Sequence, residues 1–220
     1  MTRTPYTIDV EQDDGSIKQV TLPSVTEIIS HHLAWGSDSL RSWACWLTKQ
    51  GRDPELEAKQ AADSGTTVHA AIEAYLNGVA FKWPAFSDNE KQCFVAWLSW
   101  WNARGMRVVL TEERILDLAL GYAGTIDCVA RDRNNKLCLL DWKTTSKAKQ
   151  PKPKWFVQTS AYVGLWNANF EEPIDRVVIV DIARDTHQVS EIEHTRVHDF
   201  LRVFESLLEI QRITERLVKV

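Results

Sequence analysis

Two short stretches of this chain hold the residue types best suited to chemistry. Asp127 closes the segment Gly121-Tyr122-Ala123-Gly124-Thr125-Ile126-Asp127, and fourteen residues later stands Asp141, opening Asp141-Trp142-Lys143-Thr144-Thr145. Asp141 follows Leu137-Cys138-Leu139-Leu140, which reads as a buried strand. A carboxylate beside such a run is costly unless a partner or a metal ion compensates it. In a strand, positions 141 and 143 point to the same face, so an acid and an ammonium would lie side by side. Carboxylates offer the hard oxygen ligands that Mg²⁺ and Mn²⁺ prefer. Such an ion polarises a phosphate and acidifies water, while a lysine stabilises the negative charge that develops. The chemistry that fits is hydrolysis of a phosphodiester. Taken singly, Asp127 also reads as a turn residue, and Asp141 as an ion-pair partner of Lys143.

The elements that must position these residues form an α/β pattern: a central mixed sheet flanked by helices, with a helical N-terminal region. Residues 1–105 are expected to be mainly helical, 106–194 to form the sheet core and 195–220 a C-terminal helix, all within one nuclease domain. Residues 1 to about 22 alternate around Asp13-Asp14-Gly15, a hairpin signal. Residues 25–60 read as helical, and a further helix is expected from Thr66 to Leu76, stopped by Asn77-Gly78. Ser87-x-x-Glu90 is a capping box, and Phe94, Trp97, Leu98 and Trp101 share one face of the helix it opens. Strands are expected at 107–112, 124–130, 136–143, 177–182 and 188–192, and helices at 154–169 and 195–218.

The two acids impose a condition on the hairpin between them. To share a face, directly opposed residues must have an even summed number. A two-residue turn at Asn134-Asn135 would pair 133 with 136 and separate the acids. An odd-length loop such as Arg133–Asn135, or a β-bulge, is therefore required.

Composition narrows the function classes. The 220 residues are 44% hydrophobic and 25% charged, an ordinary balance for a globular protein. No apolar run approaches the roughly 18 residues that cross a bilayer, so no membrane partner is expected. The acidic start resembles neither a secretory signal nor a transit peptide, and a cytoplasmic location, in a bacterium or a phage-infected host, is the expectation. Cys45, Cys93, Cys128 and Cys138 lack metal-cluster spacing. The net charge of −4 by itself disfavours nucleic acid, but its distribution does not. Between Trp142 and Ala168 lie Lys143, Lys147, Lys149, Lys152 and Lys154 with no acid among them, interleaved with Trp155, Phe156, Tyr162 and Trp166. That strip suits an anionic, base-bearing ligand, or else is a solvated lysine loop.

The ordered set Gly-Tyr-x-Gly-x-Ile-Asp, Asp-Trp-Lys-Thr and Gln158-x-x-x-Tyr162 resembles the PD-(D/E)xK nuclease superfamily, in particular its RecB-like exonuclease branch with the mitochondrial genome maintenance exonuclease and phage relatives. Pro23-Ser24-Val25-Thr26 and Gly65-x-x-x-His69 fit the same branch, and the likeness spans about residues 22–182. The resemblance implies a restriction-endonuclease-like core and roles for particular residues. His69, Asp127 and Asp141 would be metal ligands, joined by the backbone carbonyl of Trp142. Lys143 would be the catalytic lysine, with Gln158 and Tyr162 contacting it or the DNA phosphates. Glu112, in preference to Glu113, would assist. Lys147, Lys149, Lys152, Lys154, Thr144 and Trp155 would meet the DNA strand, with Trp142 and Trp155 as stacking candidates. The cofactor would be Mg²⁺ or Mn²⁺ without an iron–sulfur cluster, since no cysteine trio follows Cys138.

The expected activity is metal-dependent exonucleolytic hydrolysis of DNA, at single strands or duplex ends, in phage or bacterial recombination, replication or repair. A recombination or single-strand-binding protein is a candidate partner. Two rivals are a nicking or structure-specific endonuclease on the same fold and a catalytically inactive DNA-binding recombination partner.

Overall fold

Strands β1 (Tyr6–Glu11) and β2 (Ile17–Leu22) pair antiparallel as a separate two-stranded ribbon. The computed structural model describes residues 6–12, 14–80, 86–147 and 151–218, so the expected turn is seen except for Asp13. Helices α1 (Val25–His32), α2 (Ser37–Lys49), α3 (Pro54–Leu76) and α4 (Asp88–Arg104) follow. Ser24 and Ser87 each close a capping box on α1 and α4 with Glu27 and Glu90. The helix expected from Thr66 starts twelve residues earlier, at Pro54. Asp53 caps it by accepting from the amides of Glu55 and Leu56, and Pro54 occupies the first turn, where its missing N–H costs nothing. Gly65 lies inside the helix rather than before it.

The main sheet runs β3 (Arg107–Asp117), β4 (Tyr122–Arg131), β5 (Leu137–Thr145), β6 (Arg176–Ala183) and β7 (Gln188–Glu193) in that spatial order. Every neighbouring pair is antiparallel except β5 and β6, which α5 (Pro153–Asn169) links as a parallel crossover. Helix α6 (Val197–Val218) ends the described chain. The long apolar runs of β4, β5 and β6 follow from burial on both faces. Val129, Leu137, Leu139 and Val177 face α1, α5 and α6, whereas Cys128, Ala130, Cys138, Leu140, Val178 and Val180 face α3 and α4. This is the mixed sheet flanked by helices that the sequence pattern implies. No helix among the described residues is long and apolar enough to cross a membrane.

The β4–β5 hairpin meets the register condition. Cys128 opposes Leu140 and Arg131 opposes Leu137, an even sum throughout. The loop is the three residues 133–135, closed by Asp132 N–H to Lys136 O (3.1 Å), with Asn135 in the left-handed region at φ 63°.

Candidate metal and catalytic centre

The hairpin comes apart at the acids. Pairing between β4 and β5 begins only at Cys128 and Leu140, and the earlier part of β4 instead bridges Ser24 at Ala123. The side-chain alternation of β4 also slips there: Tyr122, Gly124 and Ile126 face α5, whereas Cys128 and Ala130 face α3 and α4. Opposite this slip, Glu112 of β3 adopts φ 48°, a conformation that costs a non-glycine residue on the order of 1 kcal/mol or more. Asp127 thus reaches into the gap between the strands. Its Oδ2 accepts the Trp142 N–H at 2.9 Å, so a carboxylate takes the place of a backbone carbonyl in the ladder.

Three ligand atoms converge at this gap, one each from His69, Glu112 and Asp127, all within 4.8 Å of one another. His69 comes from α3, Glu112 from the bulged edge strand and Asp127 from β4. Of the ligands expected from the sequence, His69 and Asp127 fall in this trio, and Glu112, expected as support, is its third member. Asp141 stands next to the cluster but is turned to Lys143, whose Nζ lies 2.5 Å from its Oδ2. The physical reason is that an ammonium on the same strand face is the nearest compensation for a fully buried charge.

Asp141 is otherwise poorly satisfied. It is 0% exposed, and neither oxygen accepts a hydrogen bond of good geometry. Burial pushes its pKa up to about 6; Lys143 opposes the shift and Asp127 adds to it. Imidazole and carboxylate donors, one held by a strained backbone and one adjoining acid left without amide donors, fit a hard or borderline divalent cation.

The lysine is held from the other side of the sheet. Lys143 Nζ donates to Gln158 Oε1 at 3.1 Å, and Gln158 Nε2 donates to Tyr162 Oη at 2.8 Å. Both residues lie on α5, four apart, as the sequence spacing implied. The Gly-Tyr-x-Gly segment is what lets α5 come this close. A Cβ on Gly124 would sit 2.8 Å from Tyr162 Cε1, and one on Gly164 would sit 2.7 Å from the Tyr122 hydroxyl. That hydroxyl also donates to Ala161 O at 3.3 Å.

The surrounding residues divide. Trp142 contributes only backbone, because its indole is buried on the opposite face against Trp97, Trp100 and Trp101. Trp155 does not present a stacking face either: it is buried in the first turn of α5, with the Lys152 ammonium 5.9 Å from its ring centroid. Both expectations of base stacking are corrected by this burial. Among the described residues the exposed indoles are instead Trp35, Trp43 and Trp46, on and before α2. The Thr144 hydroxyl is enclosed beneath α3, which closes it to a strand in this structure. Lys147, Lys152 and Lys154 are exposed at the end of β5 and start of α5, while Lys149 lies outside the described residues.

Two residues escaped the sequence reading. Asp181 is buried on β6 directly beside Lys143 in the parallel register, and its Oδ1 accepts from Thr145 Oγ1 at 2.8 Å. A lone acid inside the apolar run Val177–Ile182 was the signal, the same one that marked Asp141. Arg184, one residue beyond β6, carried no such signal.

A mixed α/β sheet that splits to present acids beside a lysine, clamped from both faces, defines a class of hydrolytic centre. The chain belongs to the PD-(D/E)XK nuclease superfamily, whose sequence profile matches residues 43–218. Among solved structures, one from Eubacterium rectale described as a candidate exonuclease is similar, with 12% identity and a TM-score of 0.49, covering 69% of this chain and 65% of that one. The structure of SSO0001 is similar at 19% identity and a TM-score of 0.34, covering 53% and 56%. This chain therefore spans less than two thirds of either. Comparison with curated proteins finds no match.

Proposed function

We propose that this protein is a metal-dependent deoxyribonuclease, one nuclease domain over residues 1–220, acting as an exonuclease on single strands or duplex ends in phage or bacterial DNA recombination, replication or repair. The observation that carries this reading is the split of the β4–β5 hairpin at Asp127 and Asp141, where His69, Glu112 and Asp127 converge beside the Asp141–Lys143 pair.

His69, Glu112 and Asp127 would hold Mg²⁺ or Mn²⁺, with Asp141 adjoining. When bound, such an ion supplies charge neutralisation at the phosphate and an acidified water. The remaining work falls to the chain itself. Trp142 N–H fixes the Asp127 carboxylate. Gln158, itself held by Tyr162, fixes the Lys143 ammonium at the mouth of the gap. There Lys143 meets a non-bridging phosphate oxygen and stabilises the negative charge that grows on it. The exposed Lys147, Lys152 and Lys154 hold backbone phosphates of the strand.

Digestion of 5′- and 3′-labelled linear DNA, beside circular single-stranded DNA, with Mg²⁺ or Mn²⁺ tests the proposal. Release of mononucleotides or short products from ends only, abolished in Lys143→Ala, is the expected result. Cleavage of the circle assigns an endonuclease. Equal rates for wild type and Lys143→Ala leave a DNA-binding module.

A further inference from the structure

Four arginines are half-buried among the described residues: Arg131, Arg176, Arg184 and Arg212. Three of them hold carboxylates. Arg131 pairs with Glu172 at 2.6 Å, Arg176 with Glu193 at 3.1 Å and Asp132 at 3.5 Å, and Arg212 with Glu209 at 3.4 Å. Arg184 holds only the backbone carbonyl of Ala61, at 3.4 Å, and forms no ion pair among the described residues. Even Asp185, the next residue, does not pair with it. Withdrawing a guanidinium from water without a counter-charge is unfavourable, which points to an anion supplied from outside the chain.

The position of Arg184 says which anion. Its backbone N–H donates to Thr145 O at 2.8 Å, and Asp185 N–H to Ser146 O at 2.9 Å, so β6 is extended alongside the end of β5, just past Lys143. The Arg184 side chain turns toward α3. On that helix Ala61, Gly65 and His69 are spaced four apart and lie on one stripe. Gly65 covers Thr144, 3.8 Å from its Cβ to an ideal Cβ on the glycine. The stripe therefore runs from the His69 end, in the metal-ligand cluster, to the Arg184 end, about 12 Å apart along the helix axis at roughly 1.5 Å per residue. One strand of duplex DNA carries a phosphate about every 3.4 Å of axis. The separation thus spans a few phosphates.

We infer that Arg184 binds a backbone phosphate of the nucleic-acid strand a few nucleotides from the scissile one, setting the register of the strand on the centre. This rests on the nuclease reading above. Arg184 is a positioning residue and takes no part in bond breaking.

The test compares wild type, Arg184→Gln and Arg184→Lys. Glutamine carries no charge whereas lysine keeps it, and the melting temperature reads any loss of the Ala61 contact, which separates a tether from an anion contact. The measurements are the Kd for a labelled single-stranded oligodeoxynucleotide in Ca²⁺ at several salt concentrations, kcat and KM with Mg²⁺ or Mn²⁺, and the melting temperature. Arg184→Gln is expected to raise Kd and KM about tenfold, the scale of one charge-assisted hydrogen bond. The effect falls on KM rather than kcat, and the slope of log K against log salt drops by about 0.7. Arg184→Lys retains most of the slope. A lower melting temperature with unchanged Kd and salt slope overturns the inference and leaves a structural tether. A wild type that binds no nucleic acid overturns the nuclease reading and this inference together, whereas equal binding by wild type and Arg184→Gln overturns this inference alone.

Discussion

The two ends of the β4–β5 hairpin each bury an aspartate, and the chain treats them in opposite ways. At the loop end, Asp132 Oδ1 accepts the amides of Asn134 (2.8 Å) and Lys136 (3.0 Å), and Oδ2 faces Arg176 at 3.5 Å. Its charge is compensated by two amides of the turn and by the Arg176 guanidinium at the start of β6. At the open end, Asp141 has no amide donor among the described residues, and its nearest compensation is the flexible ammonium of Lys143. The first acid builds the hairpin; the second makes no hydrogen bond that holds it. Burial alone does not separate the two cases. The count of satisfied oxygens does.

Exchanging the perturbation between the two ends gives the largest contrast. Asp127→Ala at the open end is expected to lower kcat about a thousandfold, the scale of losing one pre-organised electrostatic contact, with the fold retained. It should also abolish the rise in melting temperature on adding Mn²⁺, a shift that binding to the folded state alone produces. Asp132→Ala at the loop end should instead cost about 2 kcal/mol of stability while leaving kcat per folded molecule intact. A large kcat loss in Asp132→Ala would erase the distinction.

Asp141→Asn sharpens the comparison in stability. A folded pKa of about 6 against an ordinary 3.8 means the ionised form is disfavoured in the folded chain. At pH 7 the metal-free variant should therefore be more stable than wild type by as much as about 3 kcal/mol, at 1.36 kcal/mol per pH unit. Urea unfolding in EDTA measures this, and a destabilised variant would contradict it.

The pH profile of that pair carries a further expectation. The folded state holds the Asp141 proton between pH 3.8 and about 6, so stability from this group is lost as pH rises through that window. His194, bonded to Ser160 at 2.8 Å, is pushed by burial from 6.5 down to about 4, so its contribution is lost as pH falls through that range. The two oppose each other between about pH 4 and 6. Metal-free Asp141→Asn, freed of one of them, should gain stability with rising pH more steeply than wild type, and parallel curves would refute the assignment.

Smaller effects probe the clamp. Gly124→Ala drives a methyl against Tyr162 and should cost about 1–3 kcal/mol, with a drop in kcat as Gln158 leaves Lys143. Gln158→Ala should lower kcat by about tenfold with little loss of stability.

Much of this was legible without coordinates. The hairpin's odd loop followed from parity once Asp127 and Asp141 were required to meet, because a strand has a strict two-residue period. Lys143, Gln158 and Tyr162 were readable because their spacings are local, two along a strand and four along a helix. The misreadings were of another kind. Trp155 has the composition of a stacking residue but sits in the first turn of a helix whose buried face packs on the sheet, which its own neighbours in sequence do not reveal. Arg184 looked like any solvated arginine, since the lack of an ion-pair partner among the described residues is a property of the surroundings.

The chain's own order of residues therefore determined the elements, their register and the identity of the acid–lysine pair, all short-range consequences of periodicity and burial cost. Only the tertiary structure decided that β4 and β5 part company at Asp127 and that Glu112 is strained toward His69. It also decided that α3 and α5 grip the gap from opposite faces. Those outcomes depend on packing between segments tens of residues apart, where many local patterns are compatible and one arrangement satisfies them together.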